Sequence, residues 1–515
     1  MSTPAPAPAL FSMPVPRGPA RPVKPQTVLS YGLGADSTAI LLMFLEDPVR
    51  YGLEPDLSDL IVVHAVTGNE WSTSLSYVDR LVLPLLAERR VRVVQVARMG
   101  RSDSDGVLVL EDSRATRHIH QAGPWRLSDW LLTGGTVPQM ASGRRTCSIR
   151  FKGWVLDHWA VAEFGQAPFR RVIGYHAGER SRMEKDTKIQ NRLNERAGRV
   201  ICEPSYPLGE AGMNREAVEA YVLARLGEPI QKSYCTFCPF SGVCASRDRH
   251  EERLRAHPDL AAEALAMEYA SMALNEAMSL YGTRSLYEQL TEDGRNEAVL
   301  TAFEERLDMV PFSLYEVRRL YLPGRTKECR LHHGDRCARP RWWCRTERTK
   351  HCRREHAVFE TGADGTRTEL PTACTGLDDD CRGKPVKGQA WRSVRTVWEG
   401  PRLEAEFTLM RWGREDGVRL RHGERSMIKR LHYLDRGEGY PAAEAYLVAA
   451  PSGAHDKQRD SFERRWTEST GLIGTRWEPV RPLVSHPRTR GNRVVPVIRP
   501  QGVAHVPALT ESSAA

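Results

Sequence analysis

The stretch Leu29-Ser30-Tyr31-Gly32-Leu33-Gly34-Ala35-Asp36-Ser37-Thr38 decides the fold. The run Thr27-Val28-Leu29 leads into it with the β-branched, apolar character of a strand, and the apolar helical run Ala39–Leu45 leads out. A strand that passes through glycines into a helix start is an anion site. Glycine lets the backbone approach a phosphate, and the first helical amides point at it. Ser37 or Thr38 can cap that helix or bind an oxygen. The loop lacks the Gly-Lys-Ser/Thr ending of a Walker A sequence. Farther on, Leu60–Val66 reads as a fully buried strand. The turn Thr67-Gly68-Asn69-Glu70-Trp71 follows, then a helix over about 74–90 and a strand over 91–96. Strand, helix and strand at this spacing predict an α/β protein with a parallel sheet and right-handed crossovers. Another short strand runs into Gly174-Tyr175-His176-Ala177-Gly178-Glu179-Arg180-Ser181-Arg182. Ligands bind such sheets at the carboxyl ends of the strands, where these turns lie.

The glycine loop resembles the pyrophosphate-binding loop of the PP-loop ATP pyrophosphatases and 3′-phosphoadenylyl-sulfate (PAPS) reductases, usually S-G-G-x-D-S. This chain reads S-x-G-x-G-x-D-S. The T-G-N-E turn looks like that superfamily's second nucleotide-contacting loop. The Gly174 segment is similar to its G-x-R-x-x-E-S segment, with His176 in place of Arg and Arg180 in place of Ser. The resemblance spans about 26–245 and implies an adenine nucleotide alpha-hydrolase-like (PP-loop) domain. It implies nucleotide contacts from Ser30, Gly32, Gly34, Asp36, Ser37, Thr38, Thr67, Gly68, Glu70, Gly174, Glu179, Arg180 and Arg182. Asp36 and Ser37 would be catalytic with Mg²⁺, and Arg144, Arg145 and Lys152 would clamp substrate phosphates.

The chain has 11 cysteines. Its first 25 residues are Pro/Ala-rich without the apolar core of a secretory signal, so a disordered tail, a cytoplasmic setting and no membrane partner are expected. There, cysteines serve more often as ligands or nucleophiles than as disulfides. Cys235-Thr236-Phe237-Cys238 is a C-x-x-C turn, with Cys244 beyond it. Cys147-Ser148-Ile149-Arg150 resembles the C-C-x-x-R segment of iron–sulfur adenylyl-sulfate reductases, with Thr146 replacing the first cysteine. That resemblance implies metal ligation by Cys147, Cys235, Cys238 and Cys244. A [4Fe–4S] cluster is expected, with Zn²⁺ as the alternative for the same soft thiolates. An iron left open would suit sulfur transfer, as in tRNA-thiolating members of the superfamily.

At 515 residues the chain is too long for one ordinary domain. The expected order is a tail (1–25), the nucleotide domain (26–245), a helical extension (246–325), a basic Cys/His-rich segment (326–382), a small α+β domain (383–486) and a second disordered tail (487–515). In the α+β part, 395–398 and 405–409 read as strands, and 442–448 as a helix. The formal net charge of +9 is concentrated between Arg325 and Arg354, with Trp342 and Trp343 among the cations. Guanidinium groups pair with phosphates and indoles stack on bases, so a DNA or RNA partner is expected. The cysteines and histidines of the same segment suit a zinc-stabilised insertion or unused thiols in a loop. Within it, Glu328-Cys329-Arg330-Leu331-His332 resembles the E-C-G-L-H segment that carries the catalytic cysteine of PAPS reductases.

Two enzymes fit this sequence. One activates an acceptor with ATP and inserts sulfur into a nucleic acid, supplied by a sulfur-donor protein. The other reduces PAPS or adenylyl sulfate with Cys329 as nucleophile. A zinc-containing nucleic-acid-binding protein without catalysis is the third reading.

Overall fold

The computed structural model describes residues 26–138, 145–240, 247–282, 284–323, 358–361, 367–370, 387–423, 425–426, 428–438, 440–457, 459–472 and 497–498. The first tail (1–25), the second tail (487–515) apart from Val497 and Ile498, most of the Cys/His-rich segment, Arg144, Cys244 and Cys329 lie outside them. Val497–Ile498 form a strand rather than disordered chain because they pair with the strand Val107–Ser113.

The first half is an α/β unit. Its strands are β1 (Gln26–Ser30), β2 (Leu60–Val66), β3 (Arg92–Arg98), β4 (Val107–Ser113), β5 (Phe169–Val172) and β6 (Cys202–Ser205). They lie in the order β4-β3-β2-β1-β5-β6, and the two-residue strand Val497–Ile498 adds outside β4. Every pairing from β3 to β6 is parallel, and β4 runs antiparallel to β3. All seven residues of β2 are buried, as expected of a strand covered on both faces. Alternate side chains divide between two cores. Leu29, Leu60, Val62 and Val93 meet the helix α1 (Ala35–Glu46) and the helices Ser72–Leu81 and Arg215–Leu226. Val28, Ile61, Val63, Val94 and Val96 meet Val155 and Trp159 of the helix Trp154–Phe164. Only Asp36 and Glu46 of α1 escape burial, which explains its unbroken apolar run. The helix expected over 74–90 is two, Ser72–Leu81 and Leu83–Glu88. Pro84 opens the second, because it has no N–H to continue the first.

The second half is built on an antiparallel sheet. Its long strands are β7 (Phe312–Pro323), then, beyond the hairpin β8 (Val358–Thr361) and β9 (Arg367–Leu370), β10 (Lys387–Gly400), β11 (Leu420–His422), β12 (Lys429–Leu434) and β13 (Ala442–Pro451). The order is β10-β7-β13-β12-β11. The expected helical stretch therefore ends at Met309, and its last residues form a strand that pairs on both sides with strands of the α+β part.

Two local expectations are corrected. Residues 405–409 lie in the helix Arg402–Glu415, whose buried Ala405, Thr408, Leu409 and Gly413 recur at helical spacing. Residues 442–448 lie in β13. Its alanines have helical propensity, but hydrogen bonding to both β7 and β12 outweighs it.

The helices Arg247–Ala256, Pro258–Leu274 and Glu297–Met309 join the halves. Their apolar faces share one core with Trp71 at the N-cap of the helix Ser72–Leu81, Phe237 of the C-x-x-C turn and Leu314 of β7. His250 is held there, 2% exposed, with its ring centroid 6.0 Å from that of Trp71. Burial, aided by the Arg253 charge, pushes its pKa down to about 4. The unfolded imidazole binds a proton below about 6.5. The folded protein therefore loses stability as pH falls from about 6.5 to about 4. The His250 contribution is on the order of 3 kcal/mol. Urea midpoints at pH 7 and pH 4.5 should separate much less in His250→Phe than in the parent; equal separation refutes this assignment.

No helix among the described residues is long and apolar enough to cross a membrane.

Candidate nucleotide and thiol site

The chain runs from β1 through α1 to β2 on one side, while β5 pairs on the other side of β1. The glycine loop thus sits where the strand order reverses, at the carboxyl edge of the sheet. Leu33 adopts φ +58°, a strained value for a branched residue, and its side chain is locked in the core at 1% exposure. Gly34 starts α1 in extended backbone, and no side chain caps the first amides. The Ser37 hydroxyl accepts from Gly32 N–H at 3.2 Å and donates to Gly34 C=O at 3.2 Å. Thr38 is fully buried, its hydroxyl 3.0 Å from that of Tyr31, so it faces the core rather than the loop opening. No atom lies within 4 Å of the place a Gly32 side chain would occupy.

Two segments from far along the chain close on this loop. Ser233 donates to Gly32 C=O at 2.7 Å. Gly174, just after β5, crosses the start of α1, where a methyl group would lie 3.0 Å from both Asp36 Cβ and Ser37 N. Gly174→Ala must push the two loops apart, with an expected cost of about 1–3 kcal/mol in stability. Urea denaturation of parent and variant measures it, and an unchanged midpoint refutes this packing.

Asp36 is three-quarters buried; its Oδ1 has no hydrogen-bond partner among the described residues, and its Oδ2 lies 4.0 Å from Arg215. Burial pushes its carboxyl up from the ordinary range, Arg215 and His176 oppose that, and Glu179 and Lys232 also contribute to its field. Arg182 pairs with Glu179 and lies over the Tyr175 ring at 4.5 Å. Arg180 is 85% exposed and pairs with Glu184, so the structure does not bring it to the loop. A polar cleft of about 390 Å³ adjoins Leu33, between Ser74, Tyr77 and the segment 228–231.

At the end of β2 the T-G-N-E turn is locked inward. Glu70 accepts from Thr67 Oγ1 at 2.6 Å and from Asn69 N–H at 3.2 Å. Asn69 exchanges hydrogen bonds with Ser128 and accepts Thr236 N–H on its carbonyl. Gly68 has φ +84°, and a side chain there would strike Arg126. Both Glu70 oxygens are thus engaged by the protein. Thr67 Oγ1 is also 3.8 Å from Cys235 Sγ. Its single proton goes to Glu70, so the Cys235 thiol donates to it.

Among the described residues, Cys147, Cys202, Cys235 and Cys238 are not joined to one another by a disulfide. Cys238 N–H donates to Cys235 C=O at 2.9 Å and closes the C-x-x-C turn. Cys147 and Cys235 pack against the same core. Burial, then the Glu70 carboxylate, push the Cys235 thiol well up; Lys152 opposes them, and the Cys238 and Cys147 sulfurs share the same field. Burial likewise pushes Cys147 up, against Lys152 and Arg145. The Arg145 guanidinium lies 4.6 Å over the Phe240 ring. Among the described residues, the three sulfurs are not gathered within 4.8 Å of one another. A tetrahedral zinc with Zn–S of about 2.3 Å needs sulfurs about 3.8 Å apart, which this arrangement does not provide. A four-iron cluster spreads its thiolates over separate irons, which suits a wider set of soft donors.

His64, on β2, was not singled out in the sequence. Its Nδ1–H donates to Tyr31 C=O at 3.0 Å, leaving a buried Nε2 without a partner. Burial pushes its pKa down, with Glu70 and Lys152 acting in opposite senses. A lone histidine in an otherwise apolar strand was the available signal. Arg215 and Lys232 carried no comparable signal.

Comparison with family models, curated proteins and solved structures returned no match.

Proposed function

We propose that the carboxyl edge of the parallel sheet binds an adenine nucleotide and activates a nucleic acid for sulfur insertion. The observation that carries this reading is an open glycine loop at the strand switch that is bonded by Ser233, two residues before the Cys235 thiol. In the activation step an acceptor oxygen attacks the α-phosphorus of ATP. The new O–P bond forms as the bond to the β-phosphate oxygen breaks, and pyrophosphate leaves with the electron pair. The uncapped amides of α1 and Ser37 stabilise that leaving charge, and Asp36 would hold a Mg²⁺ ion that, when bound, supplies further positive charge there. Lys152 and Arg145 supply cations on the thiol side, and Arg215 and Lys232 on the Asp36 side. Hydrosulfide-level sulfur delivered by a donor protein then attacks the activated atom of the acceptor; the bond to sulfur forms as the bond to the AMP oxygen breaks, and AMP leaves with the electron pair. Cys147, Cys235 and Cys238 would hold a [4Fe–4S] cluster, and such a cluster, when bound, supplies an iron that accepts sulfur.

The test is anaerobic purification with iron, zinc and acid-labile sulfide analysis, followed by pyrophosphate release from ATP with DNA or RNA present. Mass spectrometry of the digested nucleic acid reads sulfur incorporation. Iron with matching sulfide, and nucleic-acid-stimulated pyrophosphate release, are expected. Thiol-dependent turnover of PAPS or adenylyl sulfate without ATP cleavage overturns the proposal in favour of a reductase. Nucleic-acid binding and cellular function that survive Asp36→Ala with Ser37→Ala overturn it in favour of a non-catalytic protein.

A further inference from the structure

A separate group of ligating side chains lies at the antiparallel edge of the first sheet. Glu111 projects from β4, and His118 and His120 follow on the segment after it. One ligand atom from each lies within 4.8 Å of the other two. His120 Nε2 is 3.6 Å from Glu111 Oε2, and the imidazole centroids are 4.8 Å apart.

This grouping is built from beneath. Gln95 of β3 is fully buried and pairs with Glu111 across the strands. Its Nε2 donates to Glu111 Oε2 at 3.0 Å and to His118 C=O at 2.8 Å, while its Oε1 accepts His120 N–H at 2.8 Å. One buried amide therefore fixes all three ligand residues. Asp79 of the helix Ser72–Leu81 accepts Ile119 N–H at 2.8 Å, and Ile119 plugs into the core between the two histidines. Holding a ligand by a second layer of hydrogen bonds is how metal sites fix orientation and basicity. The His120 and Glu111 side chains keep 30% and 20% exposure, which leaves a face open to water.

We propose that Glu111, His118 and His120 bind one divalent, imidazole-seeking cation of the zinc class. Two nitrogens and one oxygen suit Zn²⁺, with water in the remaining position, and disfavour the all-oxygen preference of Mg²⁺ and Ca²⁺. Two strand steps, about 10 Å at ordinary strand spacing, separate β4 from β2, beyond whose carboxyl end Thr67 meets Cys235. The site is thus distinct from the thiols and independent of the nucleotide reading. The ion would pin the segment 114–120 to the sheet edge.

Cobalt tests this, because thiolate ligation gives intense charge-transfer bands and nitrogen–oxygen ligation gives only weak d–d bands. Chelator-stripped full-length protein is titrated with Co²⁺, then with Zn²⁺ in competition. One equivalent with d–d bands free of charge transfer is expected, and it should persist in Cys235→Ser. His118 is exposed, so His118→Ala should keep the fold, checked by circular dichroism, and weaken this component at least ~100-fold. Glu111→Gln should weaken it roughly 10–100-fold. Binding unchanged in both variants, or a parent protein without the thiolate-free component, overturns the proposal.

Discussion

On the proposed activation chemistry, Asp36→Asn is expected to lower nucleic-acid-stimulated pyrophosphate release by about 10²–10³-fold, the range found when one preorganised group facing a developing charge is removed. The side chain stands at the first turn of α1 with one oxygen lacking a hydrogen-bond partner among the described residues and the other 4.0 Å from Arg215. A carboxylate so placed has a free oxygen for Mg²⁺, and its amide replacement keeps the shape without the charge. Burial holds the acid form to higher pH than usual, so Mg²⁺-nucleotide affinity in the parent should fall as the medium is acidified through that raised pKa. Asparagine should flatten this dependence. Arg180→Ala is the control: its side chain is in solvent and should change turnover by less than about twofold. Equal losses in the two variants would contradict the placement of the site.

The second large effect concerns stability. Glu316 on β7 and Arg395 on β10 stand opposite each other at 6% and 5% exposure, 2.9 Å apart. One Arg395 nitrogen, Nη2, already lacks a partner. Glu316→Ala strands a buried guanidinium and should cost about 3–5 kcal/mol, a large share of the 5–15 kcal/mol that holds a typical domain folded. Urea denaturation followed by circular dichroism reads this directly. Glu316→Leu combined with Arg395→Met should recover most of the loss, because two apolar side chains carry no desolvation penalty. A loss below about 1 kcal/mol in the single variant would show that water reaches the guanidinium.

The first unit was legible because its signals are local. An unbroken apolar run such as Leu60–Val66 needs cover on both faces, and glycines between a strand and an apolar helix leave few other foldings. The alanine-rich run at 442–448 has no such bias, and only its two neighbouring strands decide its state. The mixed run at 405–409 was settled by which side chains found a core. The site divides in the same way. Gly32, Gly34, Asp36 and Ser37 were readable from one turn, and Gly174 from its motif. Arg215 and Lys232 reach Asp36 only through the folding of distant segments. Glu111, His118 and His120 are brought together by Gln95, a residue with no ligand chemistry to attract notice.

β7 ends at Pro323 and β10 begins at Lys387, and these two residues face each other across the ladder. Everything between them leaves and returns at one doorway of the sheet. Changing the length of such an excursion alters closure entropy by only about 0.6 kcal/mol per doubling. Closure entropy alone therefore lets connections of very different length join Pro323 to Lys387 while β7 and β10 keep their register.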